Sequence, residues 1–162
     1  MKILDSEIAE RLSSEAESTK TDLKVAPQKY CLIPTEYRDM LSLFSIVRFV
    51  WTRASGVPEE MMFFFVSIGP YLEDEECCLW RSFWDNDELD SLKKFACEFR
   101  SDDRLKAISC VVLAMSLRID FFIKFPNSEI LGFHSHDCGM YLRCGPESLK
   151  SDLVGLGMAE TL

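Results

Sequence analysis

The longest patterned run of apolar residues extends from Ala107 to Phe125 (AISCVVLAMSLRIDFFIKF). Its odd positions, from Ser109 through Val111, Leu113, Met115, Leu117, Ile119, Phe121 and Ile123 to Phe125, are nearly all apolar. Ser116, Arg118, Asp120 and Lys124 interrupt the even ones. Alternate side chains of a pleated strand point to opposite faces, so this pattern predicts one long central strand that is dry on one side and wetter towards its end. Leu105, Ile108, Val112 and Met115 also fit a helical stripe. The strand is preferred because no Gly, Pro or Asn stands between Met115 and Leu117 to stop a helix, and because Val and Ile favour the pleat.

Other elements follow from the same patterning. Residues 3 to 18 predict a thin amphipathic helix, with Asp5 or Ser6 as its cap and Ile8, Leu12 and Ala16 on one face. A polar connector follows, so residues 1–28 are expected to be an N-terminal helix or arm with loose docking, and residues 29–162 a single α+β domain. Glu36 to Ala54 is apolar on more than one stripe, which predicts a helix buried on most sides. Glu59 to Ile68 predicts a strand, and Leu89, Leu92, Phe95, Ala96 and Phe99 recur at helical spacing over residues 85 to 99. Short turns at Pro126-Asn127-Ser128 and Asp137-Cys138-Gly139 predict strands 129–134 and 140–144 in an antiparallel meander with the long strand. A last helix is expected over 147–155. The fold class is therefore α+β, a mostly antiparallel sheet of about four strands packed with about four helices.

Charge changes the functional picture more than composition does. The chain of 162 residues carries a formal net charge of −9, which repels phosphate backbones and argues against nucleic acid as a partner. Eight carboxylates stand in Tyr71 to Asp90 (YLEDEECCLWRSFWDNDELD) against the single Arg81, so this segment holds seven of the nine surplus negative charges. Large aromatics are interleaved with them. Acids that steer an encounter, beside rings that act as buried anchors, suit an interface for a basic protein. The expected partner-binding residues are Glu73, Asp74, Glu75, Glu76, Trp80, Trp84, Asp85 and Asp87. Seven scattered cysteines and a charged N-terminal stretch suggest a reducing cytoplasm, and no uncharged apolar run is long enough to span a bilayer.

One cluster suggests chemistry. His134, His136, Cys138 and Cys144 fall within eleven positions, and zinc takes nitrogen and sulfur ligands, although the spacing is unlike the usual knuckles. The fragment Gly132-Phe133-His134-Ser135-His136 resembles part of the His-x-His motif of JAMM-type zinc isopeptidases, which implies a metal on both histidines. Cys144 and Glu147 stand where that family has serine and aspartate, so the resemblance ends there. Cys138 beside His136 is the one sequence-adjacent nucleophile and base. No phosphate-cradling loop or dinucleotide fingerprint is present, and no cofactor is expected. In size, charge and lack of a catalytic signature the chain is similar in kind to immunity proteins of bacterial polymorphic and contact-dependent toxins. That likeness implies a cytoplasmic inhibitor whose carboxylates occupy the phosphate sites of a basic, nuclease-type toxin. A small zinc- or Cys/His-dependent enzyme is the alternative, and a viral or accessory interaction protein is a third class.

Overall fold

A helix of 20 residues, Ser6–Val25 (α1), lies across one face of the sheet and sets the layout of the molecule. At 1.5 Å per residue it is about 30 Å long, enough to cross six strands spaced about 4.8 Å apart. The computed structural model describes residues 1–34, 40–54, 61–67, 74–84, 94–126, 128, 130–135, 139–143, 147–156 and 158–160. Among them are eight strands: Lys2–Ile3 (β1), Tyr30–Pro34 (β2), Met61–Ser67 (β3), Lys94–Arg100 (β4), Asp120–Lys124 (β5), Leu131–Ser135 (β6), Gly139–Arg143 (β7) and Ala159–Glu160 (β8). They form one sheet in the order β1-β4-β3-β5-β6-β7-β2-β8, and every neighbouring pair is antiparallel. Four further helices are Met40–Ala54 (α2), Asp74–Trp84 (α3), Arg104–Ser116 (α4) and Glu147–Gly155 (α5). The expected sheet of about four strands with about four helices is thus corrected to eight strands and five α-helices among the described residues.

The largest correction concerns the run 107–125. Its first part is α4 and only its end, Asp120–Lys124, is strand. The helix stops without a glycine. Arg118 takes a left-handed backbone conformation (φ 54), the Ile119 N–H donates to the Ala114 carbonyl (2.8 Å), and the Arg118 N–H donates to the Met115 carbonyl (3.1 Å). This is a Schellman termination with arginine in the position that glycine usually takes, which is why the sequence carries no stop signal. Ala107, Ile108, Cys110, Val111, Val112, Ala114 and Met115 are all buried. A helix surrounded on most sides is apolar all round, and its residues imitate a strand's alternation by chance.

The second misreading mirrors the first. Residues 94–100, expected to end a helix, form β4, where the five residues between Lys94 and Arg100 are buried. A strand covered on both faces is a continuous apolar run and loses its alternation. One cover is α1, whose Leu12 and Ala16 pack with Phe65, Ala96, Phe122 and Phe133. Asp5 caps α1 by accepting from the Ile8 N–H at 2.9 Å. In the polar run beyond residue 18, which stays helical to Val25, Thr19 and Thr21 donate their hydroxyls back to the carbonyls of Glu15 and Glu17 (2.9 and 3.0 Å). Lys124 of β5 donates to Glu15 at 2.6 Å, tying the helix to the sheet.

The other cover is made by α2, α3 and α4. Leu43, Ile46, Val47, Val50 and Trp51 of α2 enter the main core with the buried side of α4 and with Phe64, Val66, Phe95, Cys97, Phe99, Phe121 and Ile123 of the sheet. The spacing of the α2 residues is that of one broad helical stripe. No helix of the described residues is long and apolar enough to cross a membrane.

Candidate functional site

The acidic segment, expected as an exposed surface, contains helix α3. Trp80 and Trp84 are four residues apart, so they lie on one side of that helix. Both point inward, at 3% and 2% exposure. Trp84 lies 5.0 Å from Phe95, 5.3 Å from Trp80 and from Phe83, and 6.2 Å from Phe64 between ring centroids. The two tryptophans are thus core anchors and present no surface to a partner, which corrects their assignment as docking residues. Among the described residues their indole Nε1 atoms have no hydrogen-bond partner. Cys78, Leu79 and Ser82 occupy the exposed side of the same helix.

Asp74, Glu75 and Glu76 form the first turn of α3, where negative charge complements the unsatisfied N–H groups of a helix start. Their side chains lie outside the described residues, as do Glu73, Asp85 and Asp87 altogether. The zinc set is divided in the same way. His136, Cys138 and Cys144 are outside the described residues, whereas His134 sits in β6 at 1% exposure. Its ring stacks on Phe121 at 5.2 Å and 9°, and Nδ1, 2.8 Å from the Ile119 carbonyl oxygen, is the protonated donor of that bond. Among the described residues no group of three His, Cys, Asp or Glu side chains could hold a metal.

Topology does gather the candidate segments. Ser67 pairs with Lys94 on one side and with Asp120 on the other, and Ser135 pairs with Gly139. These positions end their strands on one edge of the sheet, so the chain leaves or enters that edge at 68, 93, 119, 136 and 138. The strands flanking the acidic segment, β3 and β4, and those flanking the His/Cys turn, β6 and β7, therefore meet them at the same end of the sheet, although 45 residues of sequence lie between Asp90 and His136. No family model matches the chain. Comparison with curated proteins and with solved structures gives no match either.

Beneath α1, at that same end, lies a cavity of about 80 Å³ that sequence reasoning missed. Ser13, Glu17 and Lys20 of α1 line it from above, and Ser67, Lys94 and Asp120 from the sheet, over a floor that includes Phe65 and Phe122. Asp120 was visible in the sequence only as an interruption of an apolar run. Its alignment with Ser67 and Lys94 depends on register between strands far apart in the chain, which no local pattern encodes.

Proposed function

We propose that the protein is a binding module that docks a basic protein partner through the acidic segment 71–90, as an immunity-type inhibitor of a nuclease toxin. The observation that carries the proposal is the concentration of charge: seven of nine surplus negative charges fall in twenty residues. What supports it further is the anchoring of that segment. Trp80 and Trp84 fix α3 to the aromatic core, so carboxylates carried by this helix ride on a rigid element. Ordering a flexible segment would otherwise cost binding energy. Docking then relies on charge and leaves the tryptophans inside. Such charge steers encounter and raises the association rate, most strongly at low ionic strength.

The test is charge removal with an internal control. The fivefold variant E73Q/E75Q/E76Q/D85N/D87N and a control variant E7Q/E10Q, altered on the exposed side of α1, are compared with the unaltered protein as baits for its native source. The expected result is a basic protein whose association falls at least about tenfold in the fivefold variant and with rising salt, but not in the control. If the captured protein is a nuclease, its activity should be blocked at one-to-one stoichiometry. Retention of the same partner by the fivefold variant at unchanged affinity overturns the proposal.

A further inference from the structure

We infer that residues 1–26 form a hinged strap, β1 followed by α1, that swings off the sheet as one unit while the main core stays folded. The inference does not depend on the docking proposal. Strand β1 pairs with β4 at one edge of the sheet, Lys2 with Glu98 and Ile3 with Cys97. From there α1 passes over β4, β3, β5 and β6 in turn. The chain leaves α1 through a short turn, Pro27–Lys29, and runs directly into β2. The strap therefore lies on the sheet as a single span, with its hinge at that turn.

Burial beneath the span is thin. Three of the twenty residues of α1 are buried, Leu12, Ala16 and Thr19, and the last of these is a hydroxyl side chain. Leu12 and Ala16 belong to a small second core with Phe65, Ala96, Phe122 and Phe133, whereas none of the buried residues of the main core comes from residues 1–26. The cavity of about 80 Å³ lies inside this interface, between Ser13, Ala16, Glu17 and Lys20 of α1 and the sheet. Side chains that line a void lack dispersion contacts on that side. Ties to distant parts of the chain are polar: the Leu4 N–H donates to the Ala96 carbonyl (2.9 Å), Lys124 donates to Glu15 (2.6 Å), and the Met1 amino group meets the Asp103 carboxylate. The bond from the Tyr30 hydroxyl to Asp22 (2.9 Å) spans the hinge itself. Segments with few buried apolar contacts open below the free energy of global unfolding, in contiguous cooperative units. Opening here uncovers the β4 edge and the sheet face that carries Phe65, Phe122 and Phe133. The opposite face stays covered by α2, α3 and α4.

The test is native-state hydrogen exchange of the full chain, read amide by amide in two-dimensional NMR over a series of low urea concentrations. The amides of Leu4 and of residues 12–22 should converge on one opening equilibrium, at least about thirtyfold more populated than the one that exposes β3, β5 and α4, and with a shallower urea dependence. Two substitutions separate partial from global opening. Leu12→Ala destabilises the closed strap, so exchange should speed about thirtyfold or more in α1 and in the main core alike. Ile108→Val, in the main core, leaves the balance between closed and open strap untouched. It should speed exchange about twofold to tenfold in β3, β5 and α4 and leave α1 unchanged. If Leu12→Ala does not fold, Ala16→Gly gives the same readout at about fivefold. Equal acceleration of α1 by Ile108→Val overturns the inference. So does exchange in α1 that is graded along the helix and independent of urea, which is fraying, or protection of α1 as strong as that of the main core.

Discussion

Replacing Trp84 with phenylalanine should cost far less than replacing it with alanine, and the difference measures what the indole N–H does. Trp84 is 2% exposed and meets five rings, those of Phe64, Trp80, Phe83, Phe95 and Phe99, at centroid distances of 5.0 to 6.3 Å. Truncation to alanine removes all five contacts and leaves a cavity, a loss of about 3–5 kcal/mol. Phenylalanine keeps a ring in the same place and gives up roughly two carbons' worth of apolar burial, about 1.5 kcal/mol. It also removes a buried donor that finds no acceptor among the described residues, a group whose desolvation costs about 1–3 kcal/mol when unpaired. The two terms nearly cancel, so Trp84→Phe should lie within about 1 kcal/mol of the unaltered protein. Urea unfolding followed by far-ultraviolet circular dichroism reads both variants without relying on tryptophan emission. A shift in midpoint at constant slope reports stability alone. If Trp84→Phe loses as much as Trp84→Ala, the indole N–H is satisfied in solution and the argument fails.

Two glycines should respond in opposite directions. A Cβ on Gly132 would approach the Leu142 Cδ2 to 2.7 Å and the Tyr141 carbonyl oxygen to 3.1 Å, so Gly132→Ala should lower stability by about 1–3 kcal/mol. Nothing lies within 4 Å of a Cβ on Gly155, and Gly155→Ala in α5 should raise stability by about 0.5–1 kcal/mol. Thermal melts of both variants check the pair, and a loss at residue 155 matching that at residue 132 refutes the packing argument. Stability should also fall in alkali. Burial pushes the Tyr30 hydroxyl upward, with its hydrogen bond to Asp22 adding to the shift, and burial raises the thiols of Cys97 and Cys110. The native state keeps these protons where the unfolded chain releases them. Their contribution is therefore complete below the unfolded thiol value of about 8.5 and declines as pH rises beyond it, through about 10 for tyrosine. Urea midpoints at neutral pH and at increasingly alkaline pH should decrease, and a Cys97→Ala/Cys110→Ala variant should show a shallower decline near the thiol range. A flat profile refutes this account.

The helix over α2, the cap of α1 at Asp5 and the turn-linked strands β6 and β7 were legible because each follows rules that operate within a few residues. The failures share one cause. Both α4 and β4 are covered on most sides, and complete burial erases the contrast between apolar and polar positions on which periodicity depends. The termination of α4 was hidden for a related reason. Arg118 adopts φ 54 because the buried Ile119 and Ala114, both 0% exposed, hold the chain there, and tertiary packing overrides local preference. Strand β2 was missed as well, since YCLIP is short and its partners, β7 and β8, lie more than a hundred residues downstream.

The acidic segment shows how far composition can be pushed. Counting charges located the surplus correctly, because charge is a property of the sequence alone. Assigning the tryptophans to the surface failed because composition carries no direction. Their spacing did: two large rings four residues apart, with Cys78, Leu79 and Ser82 on the remaining positions, describe an amphipathic helix whose aromatic side must be buried. Anchor and charge are therefore separate properties of α3. The rings hold the helix to Phe64 and Phe95, and none of the carboxylates at residues 73 to 87 is one of those rings. This separation makes the docking proposal decidable: the charge variant can abolish association without unfolding the helix, and the phenylalanine variant can alter the core without touching the charge.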